Sequence, residues 1–292
     1  MDAFSDRRVL VTGASGFIGI HLCQALELRG AKLLRVSRSL GTDVADTELV
    51  DRVVGDFKPQ SIFHLASRVT GSRNATEVLP TFRDNLLSTV NLLTAAHKHG
   101  VQRMLCMGSL QEPDAIHPGP ANSPYAASKQ AVTAYVHMFA SLYGLSVTIA
   151  RPLMVYGPGQ ADTSKVLPYV ITRLLTGQPA ELSSCRHSFD WVHVSDVVNA
   201  VLAIHEAKDV DGATVDIGTG RLTSVRDVVS AAAAILDSEN LLNFGVLKDR
   251  AGEPLRIADV AETFRTTGWR YGLDLTEGLR DTVAWYRQSG AH

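Results

Sequence analysis

Cysteine is scarce in this chain. Cys23, Cys106 and Cys185 are odd in number, widely spaced and without a C-x-x-C pair, which argues against a disulfide framework or zinc site and for reduced thiols in an intracellular protein. The ten histidines show no metal-ligand spacing either, so no metal is expected. Neither sign of charge is in excess: 28 Lys and Arg stand against 30 Asp and Glu. That balance offers no global attraction to nucleic acid or an anionic membrane, so any bound anion must be held locally. No apolar run is long enough to span a bilayer, and the polar stretch Met1 to Arg8 lacks the hydrophobic segment of a signal peptide. Cytoplasm is the expected compartment. With 45% hydrophobic and 20% charged residues among 292, the chain can fill a full core in one large or two modest domains.

Short β-branched runs and helical patterns alternate along the first half, as in a doubly wound parallel α/β sheet of the Rossmann type. Residues 8–12 form the first run, which ends in Gly13-Ala14-Ser15-Gly16-Phe17-Ile18-Gly19 and passes into a helical pattern stopped by Gly30. A strand, glycine turn and helix in that order let backbone N–H groups approach a pyrophosphate at the positive end of the helix. The spacing is G-x-x-G-x-x-G rather than the G-x-G-x-x-G of ordinary dehydrogenases. The second strand, 32–36, leads into Ser37-Arg38, with Arg35 just before, where a ribose-reading carboxylate is expected for NAD. Serine and arginine can bind a 2′-phosphate that a carboxylate repels. NADP is therefore the expected cofactor, with NAD as the alternative if Arg38 is only a solvated loop charge.

Further on, the pattern predicts a helix over 46–57, a strand over 61–66 with His64 packed inside it, and a long helix over 80–99. A strand over 103–107, with Cys106 in the core, stops at Gly108-Ser109. The carboxyl end of such a strand faces the ligand crevice, which puts Ser109 where chemistry can occur. Ser123 can then cap a helix whose first turn accepts Pro124, so Tyr125 and Lys129, four residues apart, project from one face near its start. An adjacent ammonium favours a phenolate, and Lys129 is expected to bring Tyr125 down from the reference value of about 10. Alone, a Y-x-x-x-K spacing also reads as an accident of a surface helix; the glycine turn and Ser109 give it context.

Thr12 to Gly19, Phe63-His64-Leu65-Ala66, Gly108-Ser109, Tyr125-x-x-x-Lys129 and Arg151-Pro152-Leu153-Met154-Val155-Tyr156-Gly157-Pro158-Gly159 together resemble the extended short-chain dehydrogenase/reductases. More narrowly, they are similar to the branch acting on nucleotide sugars. The resemblance implies that Ser109 bonds the substrate oxygen, Tyr125 gives or takes its proton, and Lys129 holds the nicotinamide ribose. It implies cofactor contacts from Gly13, Ser15, Gly16, Phe17, Ile18, Gly19, Ser37, Arg38, Pro152 and Val155. Asp43 and Val44 correspond to the adenine contact, and Leu65, Ala66 and Ser67 to the passage beneath ribose and phosphates. Substrate contacts fall to Ser109, Gln111 and Met154, with Arg250 toward the diphosphate and Glu253 toward the nucleoside ribose. A dinucleotide-binding domain of residues 1–157 and 186–220, a smaller α/β nucleotide-sugar lobe of 158–185 and 221–292, and a homodimer through helices 80–99 and 124–143 are further implications.

Departures from the family pattern narrow the reaction. The family's 4,6-dehydratases carry an acid pair after the serine position, but here Leu110-Gln111 follows and Glu112 stands one place too far on. Neither Leu110 nor Gln111 can act as that acid and base. Met154 replaces a frequent asparagine and Phe189 a frequent arginine, so the usual sugar and phosphate contacts are altered. The expected activity is NADPH-dependent reduction of a 4-keto nucleotide-activated deoxysugar. The alternatives are a nucleotide-sugar 4-epimerase with tightly held NAD and a non-catalytic NADP-binding sensor.

Overall fold

The computed structural model describes residues 3–114, 118–249 and 255–290. The chain opens with β1 (Arg8–Thr12), α1 (Phe17–Leu28), β2 (Lys32–Val36), α2 (Thr47–Phe57) and β3 (Ser61–His64). A continuous helical run comes next as α3 (Val78–Thr81), a π-helical segment (Phe82–Leu87) and α4 (Ser88–Lys98). Then come β4 (Arg103–Met107), α5 (Pro124–Tyr143), β5 (Val147–Pro152), β6 (Met154–Tyr156), α6 (Val166–Leu175), β7 (Ala180–Glu181) and β8 (Ser188–His193). The remainder is α7 (Val194–Glu206), β9 (Thr214–Ile217), β10 (Leu222–Ser224), α8 (Val225–Ile235), β11 (Leu242–Asn243), α9 (Val260–Thr267) and α10 (Leu275–Ser289).

Six strands form one parallel sheet in the order β2-β1-β3-β4-β5-β9. Alternation along each strand sends side chains to opposite faces, and both faces are covered. Val9, Val11, Phe63 and Leu105 pack with Leu22 and Leu26 of α1 and Val197 and Val201 of α7. Leu10, Ile62, Met104 and Ile149 pack with Val54 of α2, Leu92 of α4, and Val132 and Val136 of α5. The chain reverses direction across the sheet between β1 and β3, which opens a crevice at their carboxyl ends. β6, β8 and β10 form a separate small sheet, and α6, α8 and α10 bury Tyr156 and Trp191 from it in a third apolar cluster.

Several boundaries differ from the sequence reading. The strand expected over 61–66 ends at His64, because Leu65 and Ala66 leave the ladder and donate their amides to the Thr12 carbonyl and Oγ1, at 3.2 Å each. The helix expected over 80–99 begins at Val78 and is interrupted by the π segment. The buried Asn85 in that segment explains the interruption, since its carboxamide serves two chain segments at once. It accepts from Ser67 Oγ (3.1 Å) and the Arg68 amide (2.7 Å), and donates to the Arg68 carbonyl (3.2 Å) and Ser128 Oγ (2.9 Å). The wider turn aims this side chain between the loop after β3 and α5.

Candidate active site

The glycine turn is built for close approach. Gly13 has φ +67°, and a Cβ there would lie 2.7 Å from the Ala66 nitrogen. At Gly19 a Cβ would sit 2.1 Å from the Gly13 carbonyl oxygen, so helix and turn touch backbone to backbone. Gly16 is the N-cap of α1, with no side chain accepting from the first amides. The amides of Phe17, Ile18 and Gly19 therefore head a helix whose positive end lies at the crevice, an arrangement that suits a dinucleotide pyrophosphate. Ser15 stands exposed at the same turn.

At the end of β2, Ser39 Oγ donates to Ser15 Oγ (2.9 Å) and shares a hydrogen bond with Ser37 Oγ (3.0 Å). Sequence reasoning misses Ser39; its place on a one-turn helix beside Ser37 is the only signal that could find it. Arg38 extends from this cluster with its side chain 61% exposed and pairs with Asp84 at 3.2 Å. Arg35 is committed elsewhere, to Glu27 of α1 (2.6 Å). Asp43 receives Arg83 Nη2 at 2.6 Å. Slight burial raises the Asp43 carboxyl, but bonds from Arg83 and the Ala45 amide outweigh it and hold the group below its ordinary value. Val44 is buried, and its carbonyl accepts from Asn91 Nδ2 at 3.1 Å.

Deeper in the crevice, β3 and β4 run parallel, and their ends meet the start of α5. His64 is packed between Thr12 Oγ1 (2.7 Å) and Thr89 Oγ1 (2.9 Å), and burial pushes its imidazole down to about 3. The helix α5 starts as its sequence dictates: Ser123 Oγ accepts from the Ala126 amide at 3.1 Å, Pro124 occupies the first turn, and Gly144 in the left-handed region ends it. Tyr125 and Lys129 face inward together, and Ser109, also buried, is close enough to act on the Tyr125 hydroxyl. Lys129 Nζ lies 5.9 Å from the Tyr125 ring and donates to the Met107 carbonyl at 2.6 Å.

The electrostatics correct the expectation that Lys129 lowers the tyrosine. Burial pushes Tyr125 up to about 12; Ser109 opposes this and the Glu112 carboxylate adds to it. Lys129 itself bears the cost of burial, which drives its ammonium down to about 8 despite Glu112 and Cys106. Spacing along a helix reveals proximity but not desolvation, and here desolvation is the larger effect.

The remaining positions surround this centre. Gln111 donates its amide to Ser109 Oγ at 3.2 Å, while Leu110 is buried and donates its amide to the Pro152 carbonyl at 3.3 Å. Val155 and Met154 belong to β6, where Met154 pairs with Trp191. Glu112 is buried, with Oε2 accepting from Thr133 Oγ1 at 2.7 Å, and so faces α5 rather than the crevice. Arg250 and Glu253 lie outside the described residues.

Known proteins carry the same layout. A UDP-glucose 4-epimerase of Mycolicibacterium smegmatis is 29% identical over 96% of this chain and 98% of that protein. A dTDP-glucose 4,6-dehydratase of Streptomyces antibioticus is 29% identical over 97% of this chain and 93% of its own length. The crystal structure of a Thermotoga maritima UDP-glucose 4-epimerase with UDP-glucose superposes with a TM-score of 0.88 at 26% identity, covering 97% of this chain and 99% of that one. Residues 9–218 match the model of the NAD dependent epimerase/dehydratase family, spanning the glycine turn, Ser109, Tyr125 and Lys129, and the chain belongs to that family.

Proposed function

We propose that this protein reduces a 4-keto nucleotide-activated sugar with NADPH. The observation that carries the reading is the end of β2, where Ser15, Ser37 and Ser39 gather beside Arg38 and no carboxylate comes directly after the strand. Hydroxyls and a guanidinium suit a 2′-phosphate, whereas a ribose-reading acid would repel it. Glycines 13, 16 and 19 would hold the pyrophosphate, with Asp43 and Val44 toward the adenine, Leu65, Ala66 and Ser67 along the riboses, and Pro152 and Val155 beside the nicotinamide.

When bound, the nicotinamide supplies the hydride. The protein's part is to hold the carbonyl and move the proton. In this mechanism Ser109 donates a hydrogen bond to the carbonyl oxygen and stabilises the charge developing there. Tyr125, protonated through the neutral range because burial raises it, delivers its proton to that oxygen. Lys129, tethered to the Met107 carbonyl, stands next to the phenol and supports the phenolate left behind. Elimination of water has no support, since Leu110 and Gln111 are not acids and Glu112 is turned inside. We assign Gln111 and Met154, within a dinucleotide-binding domain of 1–157 and 186–220, to the sugar, and Arg250 and Glu253, within a lobe of residues 158–185 and 221–292, to the nucleotide. A homodimer through α3 to α5 accompanies this reading, supported by the exposed Leu79, Phe82, Tyr135 and Leu142.

A 4-epimerase with retained NAD is the second reading, favoured by the epimerases among the relatives and by the NAD dependence of the family. Purified protein decides between them. Consumption of NADPH with a 4-keto sugar nucleotide, abolished in Tyr125→Phe, is the expected result. Stoichiometric NAD carried through purification, with no external cofactor requirement, would overturn reduction. Arg38→Asp should raise KM for NADPH relative to NADH about tenfold, the worth of one charge-assisted hydrogen bond.

A further inference from the structure

Among the described residues, Glu112 is the acid beside Ser109, Tyr125 and Lys129 that the proposed reaction leaves without a task, and its surroundings are unusual. The side chain is 1% exposed, and while Oε2 accepts from Thr133 Oγ1, Oε1 has no hydrogen-bond partner among the described residues. A buried carboxylate oxygen left unpaired is costly and calls for a reason. It lies under the turn that carries Ser109: a Cβ at Gly108 would be 3.1 Å from Oε1, so the glycine permits the approach. Arg151 of β5 is the nearest cation of that layer, but its Nε is 3.9 Å away. All three of its nitrogens are committed, Nε and Nη2 to Asp216 of β9 at 2.8 and 2.7 Å and Nη1 to Asp114 of the loop after β4 at 2.9 Å. One guanidinium therefore faces three carboxylates. From α5, Lys129 and Tyr125 both feel the Glu112 charge.

We propose that Glu112 is a positioning residue whose buried negative charge, set beneath the Gly108 turn next to the Met107 carbonyl that tethers Lys129, keeps Lys129 an ammonium beside Tyr125. The sign comes from Coulomb's law: an anion behind the pair favours the ammonium and disfavours the phenolate. Both effects oppose loss of a proton. Burial raises the Glu112 carboxyl above its ordinary value, whereas Thr133, Arg151 and Lys129 pull it back toward ionisation. Cys106, also buried beside Lys129, is pushed up to about 12 by burial and stays a neutral thiol at working pH. The use of that ammonium to support the phenolate left by proton delivery rests on the reduction reading; the effect of Glu112 on Lys129 does not.

The test is Glu112→Gln, which keeps the shape and an acceptor for Thr133 while removing the charge. Titration of Lys129 by NMR of carbon-labelled lysine, assigned with Lys129→Met, is expected to show a midpoint about one pH unit lower than in wild type. The alkaline limb of NADPH oxidation should move in the same direction. Reduced turnover with an unmoved lysine midpoint would make Glu112 a packing residue and overturn the proposal. Should Glu112→Gln fail to fold, Thr133→Val serves: without the hydroxyl, Glu112 holds its proton more readily and the same downward shift is expected, while no shift would overturn it. The lysine titration needs no substrate, so an absence of NADPH oxidation in wild type would overturn the reduction reading alone.

Discussion

Replacing Lys129 with methionine should make the protein more stable at pH 7 while removing its turnover. The ammonium is 4% exposed, and burial takes it from 10.5 to about 8. At about 1.4 kcal/mol per unit, holding that charge inside costs the folded state about 3 kcal/mol. Methionine fills nearly the same volume without the charge. Against the gain stands the lost bond to the Met107 carbonyl, worth about 1 kcal/mol. A net gain of about 2 kcal/mol remains, read as a higher denaturant midpoint at unchanged slope. The sign has its own pH signature. Below pH 8 the wild-type lysine is charged in both folded and unfolded states and carries the full penalty. Between pH 8 and 10.5 only the unfolded chain keeps the proton, so wild-type stability rises with pH and the gap to the variant closes. Denaturant titrations at about pH 7 and pH 10 measure both. A variant less stable than wild type at neutral pH, or a gap that persists in the alkaline titration, would refute the assignment of a buried, charged Lys129.

Gly19→Ala places a methyl group 2.1 Å from the Gly13 carbonyl oxygen. Helix and turn must part, and the expected outcome is a loss of about 1–3 kcal/mol of stability with at least tenfold weaker cofactor binding, measured by nucleotide fluorescence. Asp190 is fully buried and accepts from the Thr219 amide and hydroxyl at 2.7 Å each, the Gly220 amide at 3.0 Å and the Ala258 amide at 3.1 Å. Asp190→Asn turns an amino group toward these donors and should cost about 3–5 kcal/mol in chemical denaturation, with 15N spectra showing the change centred on 217–220 and 258.

Local chemistry made much of the fold legible. Ser123, Pro124 and Gly144 mark the ends of α5 because capping acts within one turn, and the β-branched runs mark strands because both sheet faces are buried. The meeting of Ser109 with Tyr125 and Lys129 was readable by placing each at an element end facing one crevice. What escaped depends on long-range packing. Arg38 pairs with Asp84 across 46 residues, and β8 joins β6 and β10 rather than the main sheet. The rise of Tyr125 and the inward turn of Glu112 arise from burial, which no spacing along one helix reports.

The π segment between α3 and α4 has a consequence for how this chain can change its length. An α-helix turns about 100° per residue, so a wide turn shifts the angular phase of α4 relative to the residues before it. Asn85 meets Ser67, Arg68 and Ser128 on one side of that shift, while Leu92, Leu93 and Ala96 meet the sheet on the other. Removing a single residue there would restore regular winding and leave only one of the two in place. Either the carboxamide would swing off its loop, or the apolar face of α4 would roll out of the core. That stretch is closed to single deletions.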